Sequence, residues 1–465
     1  MKKITFAVLL ANRGFFPAEG IASARERMES AIKKAGYDTL FMDKTLTKYG
    51  AVETVAEGEQ FASFLKENDG LYDGIIVSLP NFGDENGAAA ALQYCDKPIL
   101  LQAFEDSLDK MGVDSRCDAF CGKLAMSDLF VQCGIKFTTF QPHVINPDRP
   151  AFLEQIHKFA SICRIVAGMK HFTIGAVGAR TTAFKSVRCD EVALQKHGIT
   201  VETIDLSSII DAVRRYDNEK KAGEKLRAME AYSDFKNVSA EKAVTLAKLA
   251  LVLEDIISGY RLDAIAIRCW SEFQVQLGIS PCLIVCMLNQ AGIQAACELD
   301  IANAATMRML SLASGEASCC MDWNNNYAQK EDECILFHCG PVANSLLKGK
   351  GTLEVHKILA NSYGAENCIG SNIGTMDRFN FTYSSMKTHN GELHFYIGQG
   401  ELVDEPVPPE YFGVYGVAKV EHLQDVLQYL CTNGYRHHVC LTRGYYSDAV
   451  LEAASRYLEY HITKL

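Results

Sequence analysis

Three short apolar runs in the middle of the chain each end on a residue able to do chemistry. "GIQAACELD" brings Glu298, "ASCCMDW" brings Asp322 24 residues later, and "CILFHCG" brings His338. In an open α/β sheet the carboxyl ends of the strands form the ligand crevice, so three neighbouring strands would deliver two carboxylates and an imidazole to one rim. Carboxylates packed together repel and raise each other's pKa unless a cation lies between them. Late in the chain "YRHHVCLTRG" adds His437 and His438 at the start of a further apolar run. Two oxygen ligands with one or two imidazoles and open positions suit Mn²⁺ or another divalent first-row ion better than a closed structural zinc site. Each residue also has a plainer reading. Glu298 could sit at the N-terminus of the "DIANAATMRML" helix with Asp300 as its cap, and His338 could be a hydrogen-bonded core histidine. The spacing favours chemistry only for the residues as a set.

The elements that must position these residues can be read from periodicity. From residue 1 to 170, apolar runs alternate with helix-like segments: "ITFAVLLA", "DTLFMD", "YDGIIVSLP" and "KPILLQAF" are separated by stretches such as "ASARERMESAIKKAG". That alternation predicts a parallel sheet covered by helices. A second such unit spans 171–345, from "HFTIGAVGAR" through a long helical stretch at about 218–258 and "LDAIAIRCW", and it carries the carboxylates. Residues 346–465 change texture and carry the His pair. "RFNFTYSSMKTHNGELHFYIGQGELV" has β-rich flanks around Asn390-Gly391, a strong hairpin signal. The expected fold is therefore α/β: two Rossmann-like domains with parallel sheets, followed by a smaller, largely antiparallel β-rich C-terminal domain.

Composition excludes several classes of partner. The 465 residues are 48% hydrophobic and 22% charged, as in soluble globular domains. A formal net charge of −11 argues against nucleic acid and anionic membranes, both of which need a basic surface. No apolar stretch approaches the ~20 residues that span a bilayer. "MKKITFAVLLANRG" reads as a first strand and not as a secretory signal, because no small-residue cleavage pattern follows it. The 17 cysteines show no repeated C-x-x-C framework, which fits reduced thiols in a cytoplasmic protein. The dinucleotide fingerprint G-x-G-x-x-G is absent after the first strand, where the chain reads "LANRGFFP", so a nicotinamide-dependent dehydrogenase is rejected.

The segments "CELD", "CMDWN", "FHCG" and "YRHHV" together resemble the metal site of the L-fucose and L-arabinose isomerases. That resemblance covers essentially the whole chain, since the family also has two Rossmann-like domains followed by a β-rich one. "NRGFFPAEG" (12–20), "RCDAFCGKLA" (116–125) and "GARTTAFKSVR" (178–188) are similar to a shorter branch of the group, resembling sulfoquinovose isomerases. The C-terminal domain is shorter than in L-fucose isomerases, which weighs against L-fucose itself. The resemblance implies that Glu298 and Asp322 are metal ligands and acid/base groups, that His438 is the imidazole ligand, and that His437 neighbours the site. His338 matches a position that binds metal in the arabinose enzymes, and is read as a ligand or a substrate contact. It also implies a homo-oligomer, a hexamer, with active sites shared between subunits.

The chemistry so implied is aldose–ketose isomerisation. A divalent ion chelating the carbonyl and adjacent hydroxyl of an open-chain sugar acidifies the C2 proton, and a carboxylate pair can carry that proton to C1 through an enediol. The family places the loop of Arg13, at the end of the first strand, near a neighbouring subunit's site, where a guanidinium would bind an anionic sugar. Arg180 and Arg436 are further candidates of this kind, and Trp270 could stack on a sugar face. Sulfoquinovose, the sulfonated glucose, which would yield sulfofructose, is the leading substrate expectation ahead of neutral aldoses. Two other readings stay open: a non-catalytic sugar-binding or regulatory protein, and a metal-dependent lyase or aldolase.

Overall fold

A computed structural model describes residues 3–235 and 238–465. The chain divides into two compact units, Met1–Ala167 and Gly168–Leu465, with the helix Pro150–Lys170 running through the division.

In the first unit the apolar runs become β1 (Thr5–Leu10), β2 (Asp38–Phe41), β3 (Gly74–Leu79) and β4 (Ile99–Ala103). They form one parallel sheet in the order β2-β1-β3-β4. Every residue of β3 and β4 is buried, so both sheet faces are covered. This is why these strands read as unbroken apolar runs without alternation. The intervening helices are locally specified: Thr54 and Glu57 form a capping box at the start of Val55–Glu67, and Phe61 and Leu65 on that helix enter the core.

The second unit opens with another parallel sheet, of β5 (Phe172–Val177), β6 (Ile199–Ile204), β7 (Ala264–Ile267) and β8 (Gln294–Ala296), in the order β6-β5-β7-β8. The helical stretch expected at about 218–258 comprises two helices, Glu219–Tyr232 and Ala240–Tyr260. Ser239 caps the second of them, its side chain accepting the Lys242 N–H. Residues 236 and 237, inside the expected stretch, lie outside the described residues, as do 1 and 2.

A larger sheet follows, built from β9 (Ser318–Tyr327), β10 (Lys330–His338), β11 (Thr352–Val355), β12 (Ile369–Thr375), β13 (Asn380–His389), β14 (Glu392–Val403), β15 (Val414–Lys419), β16 (His438–Arg443) and β17 (His461–Lys464). Its order is β11-β12-β15-β10-β9-β16-β13-β14-β17, and a further β14–β15 pairing closes six of the strands into a ring. Most of its pairings are antiparallel. Asn390 and Gly391 form the two-residue turn between β13 and β14, both at positive φ, where Gly and Asn are the natural occupants. The fold is the expected α/β combination of two parallel sheets and a larger, mostly antiparallel one.

One placement differs from the sequence reading. β9 and β10 do not extend the parallel sheet beside β8. They belong to the antiparallel sheet, and Asp322 sits within β9, not at its end. Only Ala328 and Gln329 separate β9 from β10, and so short a link can join antiparallel strands alone, because a parallel pair needs a crossover. Among the described residues no helix is long and apolar enough to cross a membrane.

Candidate active site

Glu298 reaches the site from the loop between β8 and the helix Ile301–Ser314. Glu298 and Leu299 both adopt left-handed backbone angles, with φ of 55° and 61°. Such angles cost non-glycine residues on the order of 1 kcal/mol each and persist only where surrounding bonds impose them. Here the Leu299 N–H donates to the Ile267 carbonyl at the end of β7, and the Asp300 N–H to the Cys297 carbonyl. Asp300 then caps the helix, its side chain accepting the Asn303 N–H.

Asp322 and His438 arrive from the other sheet, directly opposite each other across the β9–β16 pair. Opposed residues share a face, and His438 Nε2 lies 3.6 Å from Asp322 Oδ1. His338, the last residue of β10, places its Nε2 3.6 Å from Glu298 Oε2. His437 is more exposed, with Nε2 3.8 Å from Asp322 Oδ1. The ligand atoms gather as two overlapping sets that share His438: Glu298 with His338 and His438, and Asp322 with His437 and His438, each set lying within 4.8 Å. Glu298 Oε2 and Asp322 Oδ1 are buried and have no hydrogen-bond partner. Buried carboxylate oxygens left unsatisfied are costly. A divalent ion held by these side chains would satisfy both, so the donor set fits one.

The two inner histidines differ in which nitrogen is spoken for. His438 donates Nδ1–H to Asp300 Oδ2 at 2.7 Å, leaving the Nε2 lone pair facing the carboxylates. A carboxylate behind a ligating histidine fixes the tautomer in this way. Arg436, also buried, pairs with the other Asp300 oxygen. Burial works to lower the pKa of His438, but the hydrogen bond and charge of Asp300, with Glu298 and Asp322 nearby, outweigh it and raise it to about 8. At His338 the pattern is reversed: Nδ1 accepts the Cys339 N–H at 2.9 Å, so the ring hydrogen of the neutral form sits on Nε2. Glu298 is held below the usual carboxylate range although burial alone would raise it, because His338 and His438 outweigh that cost.

The other sequence candidates fall in different places. Trp270, just past β7, is half-buried and meets Phe184 edge-on at 6.3 Å. Arg180, past β5, is half-buried and gives Nη1 to the Thr181 and Thr182 carbonyls. Arg13 lies in the first unit, paired with Glu85 and set over the Phe82 ring at 4.4 Å. Arg436 is no anion receptor: its charge is committed to Asp300.

Three contributors escaped the sequence reading. Asp300 was legible as a cap but not as the partner of His438. Phe184 packs its ring 5.5 Å from both His437 and His438; nothing in the local pattern of its segment "GARTTAFKSVR" marks the aromatic. Cys269 donates its thiol hydrogen to Glu298 Oε1 at 3.5 Å. A cavity of about 710 Å³ also opens near the carboxyl ends of β5 and β6, lined by Gly178, Asp205, Arg214 and Arg268 among others, but none of the carboxylates or imidazoles above lines it.

Comparison with known proteins bears on the family of the chain. The model of the fucose/sulfoquinovose isomerase N-terminal domain matches residues 7–170, and that of the L-fucose isomerase C-terminal domain matches 336–465. Sulfoquinovose isomerases from Priestia aryabhattai and from Priestia megaterium are each 23% identical over 415 residues, covering 87% of this chain and 90% of the relative. Among solved structures, GanP, a glucose-galactose binding protein from Geobacillus stearothermophilus, shares 13% identity over 68% of this chain and 93% of its own at a TM-score of 0.17, too low to bear on function. By class, then, the protein is an aldose–ketose isomerase. It belongs to the fucose isomerase-like family, in the branch of the sulfoquinovose isomerases.

Proposed function

We propose that the protein is a metal-dependent aldose–ketose isomerase acting through an enediol, with Mn²⁺ as the ion and sulfoquinovose, converted to sulfofructose, as the substrate. The observation that carries this reading is the His438 ring. Its Nδ1–H is tied to Asp300, and its Nε2 faces Glu298 and Asp322, whose inward oxygens have no partner. When bound, the ion supplies Lewis acidity toward the sugar's carbonyl end. The chain's own groups do the rest. His438 would be the shared ligand of both sets, with Glu298 and Asp322 closing from either side. The same two carboxylates flank the reacting carbons, one accepting the C2 proton and the pair returning a proton to C1. Glu298 is suited to accept because its neighbours hold it ionised. Phe184 presents aromatic surface beside the imidazoles, with Trp270 edge-on to it, as a wall that limits water and packs on a sugar face.

Support for a sulfonated substrate comes from the names of the relatives and from Arg180 at the end of β5. Arg13 belongs to the same reading through a neighbouring copy, in a homo-oligomer, a hexamer, located in the cytoplasm. The proposed domains are 1–170, 171–345 and 346–465, with β9 and β10 of the second contributing strands to the large sheet of the third.

The test is incubation of Mn²⁺-loaded and chelator-treated protein with a panel of aldoses that includes sulfoquinovose, followed by ketose detection. Chelator-sensitive ketose formation without loss of carbon supports the proposal. Equal turnover by chelated protein, or two shorter carbon fragments as the product, overturns it; sugar binding with no conversion returns the sugar-binding reading.

A further inference from the structure

Glu298 shows its two carboxylate oxygens to different chemistry. Oε2 faces His338 Nε2, whereas Oε1 accepts the thiol hydrogen of Cys269. The residue before Glu298 is a second cysteine, and the ligand atoms of Cys269, Cys297 and Glu298 all lie within 4.8 Å of one another. All three are buried, at 6%, 3% and 9% exposure. We propose that Cys269, Cys297 and Glu298 form a second cation site, selective for thiophilic divalent ions such as Zn²⁺ or Cd²⁺, which shares Glu298 with the site of the imidazoles.

The sheet sets this arrangement. Cys297 directly follows β8, and Cys269 lies two residues past β7; the two strands are hydrogen-bonded neighbours, with Ala266 opposite Ala296. The Leu299 N–H bond to the Ile267 carbonyl fixes the loop behind the thiols. The pair is therefore held by the ladder and not by mobile chain. Sulfur ligands favour Zn²⁺ and its heavier relatives over Mn²⁺ more strongly than the oxygen and nitrogen donors on the other side of Glu298, whose preference follows only the general order of divalent affinities. The two sites thus sort cations by softness across a single carboxylate. Binding replaces two S–H bonds with two metal–sulfur bonds and releases two protons to solvent, with no change of oxidation state. Glu298 Oε1 loses the Cys269 hydrogen it accepts and becomes the third ligand, leaving a fourth position open.

The proposal concerns binding alone, so it stands or falls apart from the isomerase reading. Full-length protein titrated with Cd²⁺ in the presence of excess Mn²⁺ should develop sulfur-to-cadmium charge-transfer absorption at about one equivalent. That band should weaken at least about tenfold in Cys269→Ser and Cys297→Ser and persist in His438→Gln. A band of undiminished strength in the Cys269→Ser/Cys297→Ser double variant would assign it to other thiols and overturn the site. Should the serine variants fail to fold, X-ray absorption at the zinc edge of wild-type protein carrying one equivalent of Zn²⁺ decides. Two sulfur neighbours are expected, and a shell of nitrogen and oxygen alone rules the site out.

Discussion

Asp300 and His438 are joined by a 2.7 Å hydrogen bond in which the histidine Nδ1–H is the donor, and both side chains are almost fully buried. The bond leaves His438 one free nitrogen: only Nε2 remains to meet Glu298 and Asp322, as its proposed role as a ligand requires. Asp300→Asn keeps the helix cap but removes the charge that orients the ring. We expect metal affinity to fall by about 10- to 100-fold, as for other carboxylates behind ligating histidines, measured by calorimetric titration with Mn²⁺. Asp300→Ala goes further, because Arg436 is then a buried charge without its partner. Its urea unfolding midpoint should drop by the equivalent of about 3–5 kcal/mol.

His338 and His438 stand 6.0 Å apart, ring centre to ring centre, yet the structure gives them different work. With Nδ1 of His338 accepting the Cys339 N–H, its Nε2 carries the hydrogen and is a donor. A ring nitrogen that holds a hydrogen does not ligate. His438→Gln should therefore weaken Mn²⁺ binding by about 100-fold or more, and His338→Gln by less than about tenfold while still slowing turnover. Equal losses of affinity in the two variants would make His338 a ligand.

Much of this site was legible in sequence because its chemistry sits on strands and their ends. Glu298 past β8 and His338 closing β10 follow from apolar runs that stop on a polar residue, and His438 opening β16 from an apolar run that starts on one. What failed was topology. The parallel-sheet expectation placed Asp322 on a rim, when the two-residue link at Ala328 and Gln329 already required an antiparallel hairpin. The facing of Asp322 and His438, 116 residues apart in sequence, is a product of sheet register, which no local pattern encodes. Asp300 illustrates the other blind spot: a capping aspartate looks the same in sequence whether or not its second oxygen holds a histidine.

Glu298 carries the proton transfer in the proposed reaction, so Glu298→Gln preserves shape and removes the base. We expect kcat to fall by about 10²- to 10⁴-fold, the usual contribution of a positioned general base. Circular dichroism should be unchanged, since the strained loop is held by backbone bonds from Leu299 and Asp300 and not by the carboxylate. An isomerase that keeps most of its kcat in this variant would shift the proton transfer to Asp322.

His356 offers a pH dependence dominated by its own burial, with Glu298 and His338 of the candidate site as smaller influences of opposite sign. It is buried against Phe412, its Nδ1 accepts the Leu359 N–H at the start of the helix Lys357–Tyr363, and burial pushes its pKa down to about 4. In the unfolded chain a histidine titrates near 6.5. Between these two values the unfolded chain binds a proton that the folded protein refuses, so stability rises with pH across this window and is lost as pH falls from about 6.5 through about 4. The full shift is worth up to about 3 kcal/mol. His356→Asn keeps a capping acceptor and removes the titration. Urea unfolding midpoints taken from pH 7 down to pH 4 should therefore fall less steeply in His356→Asn than in the wild type, with the gap opening below about pH 6.5; parallel curves would place the acid sensitivity in other groups.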